Sequence, residues 1–75
     1  MTVPQQLQNI SDLCGTLGAD VRYGPDSQYL TVLAWEHDGE QHAHFIQQQI
    51  RRHAANDPGL VCYCFDPFST LIYMI

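Results

Sequence analysis

The chain has 75 residues, of which 45% are hydrophobic and 15% charged, and its formal net charge is −5. This length predicts one small domain over residues 1–75 and excludes multidomain enzymes and large cofactor folds. The apolar content excludes a disordered chain, and no apolar run approaches the roughly 18–20 residues of a membrane-spanning helix, so no membrane association is expected.

Charge and cysteine content narrow the class of protein further. Eight carboxylates face three arginines and no lysine, so direct nucleic-acid binding is not expected and protein partners with basic surfaces are favoured. The three cysteines are an odd number, whereas small secreted domains carry even numbers for disulfide pairing. The N-terminal segment lacks the basic and apolar regions of a secretory signal. We therefore expect free thiols and a cytoplasmic location.

The first half of the chain contains a helix and strand signals. Apolar residues spaced by three and four predict an amphipathic helix over Val3–Leu17. The turn-forming segment Tyr23–Ser27 separates an optional short strand at Asp20–Tyr23 from a stronger strand at Tyr29–His37.

The next segment allows two interpretations. The preferred one makes Asp38-Gly39 a type I′ hairpin turn followed by a returning strand over residues 40–46. One strand face would then be apolar, with Leu30, Val32, Ala34, Ala43 and Phe45. The opposite face would carry Tyr29, Thr31, Leu33, Trp35, His37, Glu40, His42 and His44.

The alternative is one long helix over Gly39–Asn56, with Asp38 as its N-cap and Gln41 as its capping-box partner. It is kept because the β-propensity of the segment at 40–44 is poor. In both interpretations a helix ends near Asn56, where Asp57-Pro58-Gly59 follows.

The C-terminal third predicts a second hairpin. Two short apolar runs, residues 60–65 and 70–75, are joined by a turn at residues 66–69. A strand as apolar as the last one must be covered, so we expect it to be central or at an interface. The predicted fold is α+β, a small antiparallel sheet with two helices packed on one face, in the order α-β-β-α-β-β.

Metal binding is a minor prediction. His42-x-His44 and Cys62-x-Cys64 each place two ligand types on one strand face, and neighbouring strands would surround a tetrahedral zinc. His37, His42 and His44 with Glu40 form an alternative set. Because free cysteines commonly fill apolar cores, we favour that role for Cys62 and Cys64 and expect no cofactor.

No catalytic residue is predicted. The chain contains no glycine-rich phosphate loop, serine elbow, zinc-protease histidine pair or dinucleotide fingerprint. A domain this small also has little interior in which to build a closed pocket. We therefore expect a protein that is not an enzyme.

Two binding surfaces are predicted instead. The preferred one is an acidic, aromatic surface for a protein partner, formed by Tyr29, Trp35, Glu36, Asp38, Glu40 and His42. The alternative is a nucleotide-like anion site in a homo-oligomer, lined by Arg51, Arg52, Trp35 and Tyr23. Because so short a chain buries little surface, we expect a homodimer or larger homo-oligomer.

The size, single domain, acidity and lack of a catalytic motif together are similar to the profile of small accessory proteins of bacteriophages and mobile elements. These include anti-CRISPR and other anti-defence inhibitors. The resemblance implies a non-catalytic inhibitor that binds a macromolecular partner. It is one of profile, so it assigns no functional residue.

Overall fold

A computed structural model describes residues 3–75; Met1 and Thr2, part of the segment considered for a signal, lie outside them. Its elements are helix α1 (Gln5–Thr16), strands β1 (Asp20–Tyr23) and β2 (Tyr29–Leu33), helix α2 (Glu40–Ala55), and strands β3 (Leu60–Asp66) and β4 (Ser69–Met74). The predicted α+β fold and its order α-β-β-α-β-β are confirmed. Neither helix in this part of the chain is long and apolar enough to cross a membrane.

Helix α1 forms where the apolar spacing predicts it. Its buried residues, Leu7, Ile10 and Cys14, recur at intervals of three and four and so share one side of the helix. The helix ends because Gly18 adopts a positive φ of 83°, which favours glycine. The Ala19 N–H then donates to the Cys14 carbonyl at 3.0 Å.

The four strands form one antiparallel sheet in the order β1-β2-β4-β3. The C-terminal strand β4 is therefore central, as predicted. Both helices pack on the same face, since their buried side chains form one core with alternate residues of β2 and β4. The fully buried part of this core comprises Leu7, Ile10, Cys14, Leu30, Val32, Ile46, Ile50 and Ile72.

The hairpin preferred at Asp38-Gly39 is wrong, and the helical alternative is confirmed in its essentials. Residues 40–46 lie in α2, and β2 ends at Leu33 rather than at His37. The hairpin of the first half is instead formed by β1 and β2. The predicted capping box is absent at this helix start, because Gly39 is the N-cap and no side chain caps the helix.

Burial of apolar side chains explains why this segment forms a helix. As a helix, the segment buries Ala43, Ile46 and Ile50 along one side, whereas the strand would have placed Ala43 and Phe45 toward the core. Phe45 is instead 44% exposed on the outer side of α2. The glycine after Asp38 fits both interpretations, since Gly39 uses its positive φ of 89° to begin the helix.

A buried glutamine joins α2 to the β3–β4 hairpin. The Gln47 side-chain NH₂ donates to the Asp66 carbonyl at 2.9 Å and to the Thr70 hydroxyl at 3.2 Å. We expect Gln47→Leu to lower the free energy of unfolding by roughly 2 kcal/mol, because it removes the donor from two acceptors at a buried site. Denaturant unfolding measures this loss. Gln48→Leu, on the exposed side, is the control, and an equal effect of both variants would contradict the role of Gln47.

Candidate interaction surface

The face of the sheet away from the helices is uncovered in the part of the chain that the structure describes. Directly paired residues of antiparallel strands lie on the same face, so the register identifies its members. We call this surface the open face: Asp20, Arg22, Tyr29, Thr31, Leu33, Val61, Tyr63, Ser69, Leu71, Tyr73 and, where the β3 register shifts, Phe65 and Asp66. Asp20 and Arg22 form an ion pair at 3.1 Å on the outer strand β1, Asp66 lies at the end of the opposite edge strand, and the other members are uncharged.

Four aromatic side chains dominate the open face. Tyr29 and Tyr73 are paired across the two inner strands and are 36% and 39% exposed. Tyr63 and Phe65, on β3, are 58% and 59% exposed and meet edge to face with ring centroids 5.1 Å apart. At about 200 Å² per aromatic side chain, these exposures leave roughly 400 Å² of apolar surface in water. Contiguous patches of this size on small proteins are often functional.

A shallow groove runs across this face. Its volume is about 510 Å³, and it is lined by Gln28, Tyr29, Thr31, Phe65, Leu71, Tyr73 and Met74. The lining comes mostly from the aromatic and aliphatic side chains of β2, β3 and β4. The groove can therefore take apolar side chains of a partner, with the tyrosine hydroxyls and Gln28 as hydrogen-bonding groups.

Local backbone features hold the aromatic rings in place. The ring of Tyr29 lies over Gly24, where a β-carbon would overlap the ring. The Gly24 N–H also donates to the Tyr29 carbonyl at 2.9 Å. On β3, a bulge between Cys64 and Asp66 shifts the register beside Phe65. The Asp66 carboxylate accepts the Phe68 N–H at 2.8 Å, which closes the turn that follows the bulge.

The residues predicted for the protein partner divide between two places. Tyr29 lies on the open face, at the start of β2. Trp35, Glu36, Asp38 and Glu40 are brought together beyond the other end of that strand, in a 3₁₀ turn and the first residue of α2, and all are exposed. His42 belongs to neither group, because its Nε2 contacts the Leu17 carbonyl at 2.9 Å.

The residues predicted for the anion site are not brought together. Arg51 and Arg52 lie near the C-terminal end of α2, whereas Trp35 precedes the N-terminal end of this 16-residue helix. The Arg51 guanidinium donates to the Cys64 sulfur at 3.4 Å. Tyr23, on the outer strand β1, has its hydroxyl 3.4 Å from the Gln8 side-chain oxygen.

The strand geometry assumed for a zinc site is wrong. His42 and His44 lie two positions apart on a helix, so they do not share a face, while Cys62 and Cys64 do lie on one face of β3. Over residues 3–75, no three histidine, cysteine or carboxylate side chains are grouped to hold a metal ion. The alternative set of His37, His42, His44 and Glu40 is likewise not grouped to hold a metal ion.

The thiols near the core are protonated at neutral pH. Burial, with Cys62 beside it, raises the pKa of Cys14 to about 12. Burial, with Cys64 as neighbour, raises the pKa of Cys62 to about 11. Cys14 is part of the core and Cys62 is partly buried against it, whereas Cys64, for which the sequence also favoured a core role, is contacted by the Arg51 guanidinium instead. Thiols with raised pKa values are poor nucleophiles at neutral pH, so the acidity of Cys14 and Cys62 does not favour a catalytic role.

Sequence reasoning missed the open face as a unit. Neither of the two predicted binding surfaces includes Tyr63, Phe65 or Tyr73. The alternation in β3, where Val61, Tyr63 and Phe65 interleave with the two cysteines, is the signal that could have placed the three on one face.

Comparison of the chain with protein-family models, with curated proteins and with solved structures finds no match.

Proposed function

We propose that this protein is a non-catalytic interaction protein that binds a protein partner through the open face of its sheet. The observation that carries the proposal is the uncharged aromatic surface of Tyr29, Tyr63, Phe65 and Tyr73 on three adjacent strands. Tyrosine is enriched at binding hot spots, because it combines a large apolar area with a hydroxyl that forms hydrogen bonds.

The charge distribution favours a protein over a nucleic acid. Aromatic side chains on a sheet can stack against bases, but such sites also need cations along the phosphate path. The open face has one cation, Arg22, which is already paired with Asp20. With a net charge of −5, the protein as a whole repels phosphates.

The acidic character of the protein indicates which kind of partner surface it binds. We expect an apolar contact patch on the partner, surrounded by lysine and arginine. The exposed carboxylates of Glu36, Asp38 and Glu40 lie beyond the Leu33 end of β2 and attract such a surface. Association should therefore slow as the salt concentration rises, whereas dissociation should depend on the aromatic contacts.

The proposal includes a more specific role, which is inhibition of the partner. By occupying a surface that the partner needs, the protein would act as an inhibitor, as the profile of a phage or mobile-element anti-defence protein implies. Recovery of a host defence protein that loses activity at a stoichiometric amount of this protein would support that role. Recovery of a partner with full activity would contradict inhibition but not binding.

Paired variants test the binding surface. We expect Tyr29→Ser combined with Tyr73→Ser to weaken binding of the recovered partner about 100-fold, because two aromatic contacts are lost from the centre of the interface. The matched control is Trp35→Ser combined with Phe45→Ser, whose side chains are 50% and 44% exposed but lie outside the open face. Affinities are measured by biolayer interferometry after circular dichroism has verified that both variants fold.

The outcomes separate the alternatives. Loss of binding in the open-face variant together with retention in the control supports the proposal. The reverse pattern would assign binding to the Trp35 region and contradict it. Recovery of a nucleic acid in place of a protein, seen as absorbance at 260 nm, would also contradict it.

A further inference from the structure

The sheet ends in one strand whose first five residues are not protected against pairing. Strand β3 lies at an edge, and its first six residues, Leu60 to Phe65, include no charge and no proline. The opposite edge, β1, has four residues and carries the Asp20–Arg22 ion pair. Proteins usually protect sheet edges with charges, prolines or short strands, because an unprotected edge pairs with another strand. β1 is protected in this way along its length, whereas β3 is protected only near its end, by the bulge between Cys64 and Asp66 and by the charge of Asp66.

The register shows which backbone groups of β3 are free to pair. The Ile75 N–H donates to the Gly59 carbonyl at 2.9 Å, and these two residues continue the β3–β4 register by one position. In an antiparallel ladder the hydrogen-bonded pairs alternate, so Val61 and Tyr63 direct their N–H and C=O groups toward β4. The N–H and C=O groups of Cys62 and Cys64 therefore point away from the sheet.

We propose that a second copy of this chain pairs with β3 in an antiparallel ladder about a two-fold axis at Tyr63, so that two four-stranded sheets become one of eight strands. In this register Cys62 lies opposite Cys64 of the partner subunit, and Val61 lies opposite Phe65 of the partner subunit. Each of the two cysteine pairs exchanges two backbone hydrogen bonds.

The sequence of β3 favours its own copy as the occupant. Along β3, the backbone N–H and C=O groups point away from the sheet at every second residue. A second copy can therefore pair only in registers that place these residues opposite one another, so that paired side chains lie on the same face of the sheet. Among these, the register centred on Tyr63 forms its hydrogen bonds at Cys62 and Cys64, within the regular part of the strand that precedes the bulge. It places aromatic and aliphatic side chains opposite one another on the open face and thiol opposite thiol on the helix face.

Charge and exposed area agree with this occupant. Although the chain carries a net charge of −5, the β3 edge is neutral from Leu60 to Phe65, and Asp66 lies beyond the regular part of the ladder. Tyr63 and Phe65 are 58% and 59% exposed, so the pairing brings the largest exposed side chains of the edge into contact. Because one strand and its neighbours bury less area than a standard interface of about 1,200–2,000 Å², we expect a reversible dimer.

The dimer would also enlarge the open face. Both copies keep their helices on the same side of the joined sheet, since residues of the same face are paired. Tyr63 and Phe65 of each copy then lie side by side at the centre of an aromatic surface that spans both subunits. This proposal does not depend on the proposed function, whose test replaces Tyr29 and Tyr73 on the inner strands.

The mass of the protein and the pairing of its cysteines test the proposal. We expect sedimentation velocity under reducing conditions to show a concentration-dependent species of twice 8.5 kDa. Tyr63→Lys should raise its dissociation constant at least about 30-fold, because it places two lysines together at the axis and removes the aromatic contact. Tyr23→Lys, on the opposite edge strand, is the control and should leave the dissociation constant unchanged.

Disulfide trapping tests the register. Opposed residues in such a ladder have Cα atoms about 5.5 Å apart, within the range that a disulfide spans. Mild oxidation with copper phenanthroline should link the wild-type chains, and Cys62→Ser or Cys64→Ser alone should prevent the link. A mixture of these two variants should restore it, because Cys64 of the first then faces Cys62 of the second.

Two results would overturn the proposal. A monomer at all concentrations under reducing conditions would show that β3 does not pair with a second copy. Efficient linking of either single variant with itself would show a different register, in which identical cysteines face each other. The buried Cys14, which is 0% exposed, is retained in all these variants and serves as an internal reference.

Discussion

Ile72→Ala should lower the free energy of unfolding by about 3–5 kcal/mol, a large fraction of the stability of so small a domain. Ile72 is 0% exposed, lies on the central strand β4 and packs in the core beneath the helices. Its truncation removes apolar contacts and leaves a cavity, because neighbouring strands on both sides limit relaxation of the site. Urea unfolding followed by circular dichroism measures the loss.

The adjacent residue provides the control for this prediction. Leu71 lies on the same strand but on the open face, where it is partly exposed. Leu71→Ala should therefore cost less than about 1 kcal/mol, since most of its removed surface was already near water. Equal losses for the two variants would contradict the assignment of one core face and one open face, and with it the basis of the proposed binding surface.

Stability should also fall steeply in alkaline solution, between pH 9 and pH 12. The pKa of Cys14 is raised from 9.0 to about 12 in the folded protein, mainly by burial. Below pH 9 the thiol is protonated in both states, so it contributes no pH dependence. As the pH rises, the thiol ionises first in the unfolded chain, which favours unfolding by up to about 4 kcal/mol by pH 12.

Removing the thiol isolates its contribution. Cys14→Ala should cost about 1 kcal/mol at pH 8, because it leaves a small cavity, but should make the decline above pH 9 clearly shallower. The remaining decline includes Cys62, whose pKa is about 11. Denaturant midpoints measured at intervals from pH 8 to pH 12 give both profiles. Parallel profiles for the wild type and the variant would contradict the role assigned to Cys14.

Elements whose signals are local were predicted well. Helix α1 follows from apolar spacing and from Gly18 after its last turn. Strands β3 and β4 follow from two apolar runs around a turn, and the lack of charge in the last strand indicated its central place. In each case the short-range pattern agrees with the burial seen in the structure, so the sequence was sufficient to predict these elements.

The segment after Asp38 failed because its local signal is ambiguous. A glycine at positive φ can occupy a hairpin turn or precede a helix, and here Gly39 does the second. The choice is made by burial of Ile46, at the end of the predicted returning strand, and of Ile50, which lies beyond it. The wrong hairpin placed Trp35 and the histidines on the sheet and hid the surface that is in fact uncovered.

The open face was beyond the reach of local patterns for a further reason. Its centre forms where β2 pairs with β4, and the pair Tyr29 and Tyr73 joins residues more than half the chain apart. Alternation along one strand shows which residues share a face of that strand. It does not show which strands are neighbours or which face the helices cover.

The strand order also determines how the chain must assemble. Each half of the chain is a helix followed by a hairpin, α1-β1-β2 and then α2-β3-β4, and the two hairpins join edge to edge at β2 and β4. Pairing within each hairpin is local and fast, whereas joining the hairpins closes a long loop and is expected to limit the folding rate. Until that step the inner strand of each half has one unpaired edge. Refolding at high concentration should therefore allow a half of one chain to join the complementary half of another, giving exchanged dimers that form slowly and separate slowly.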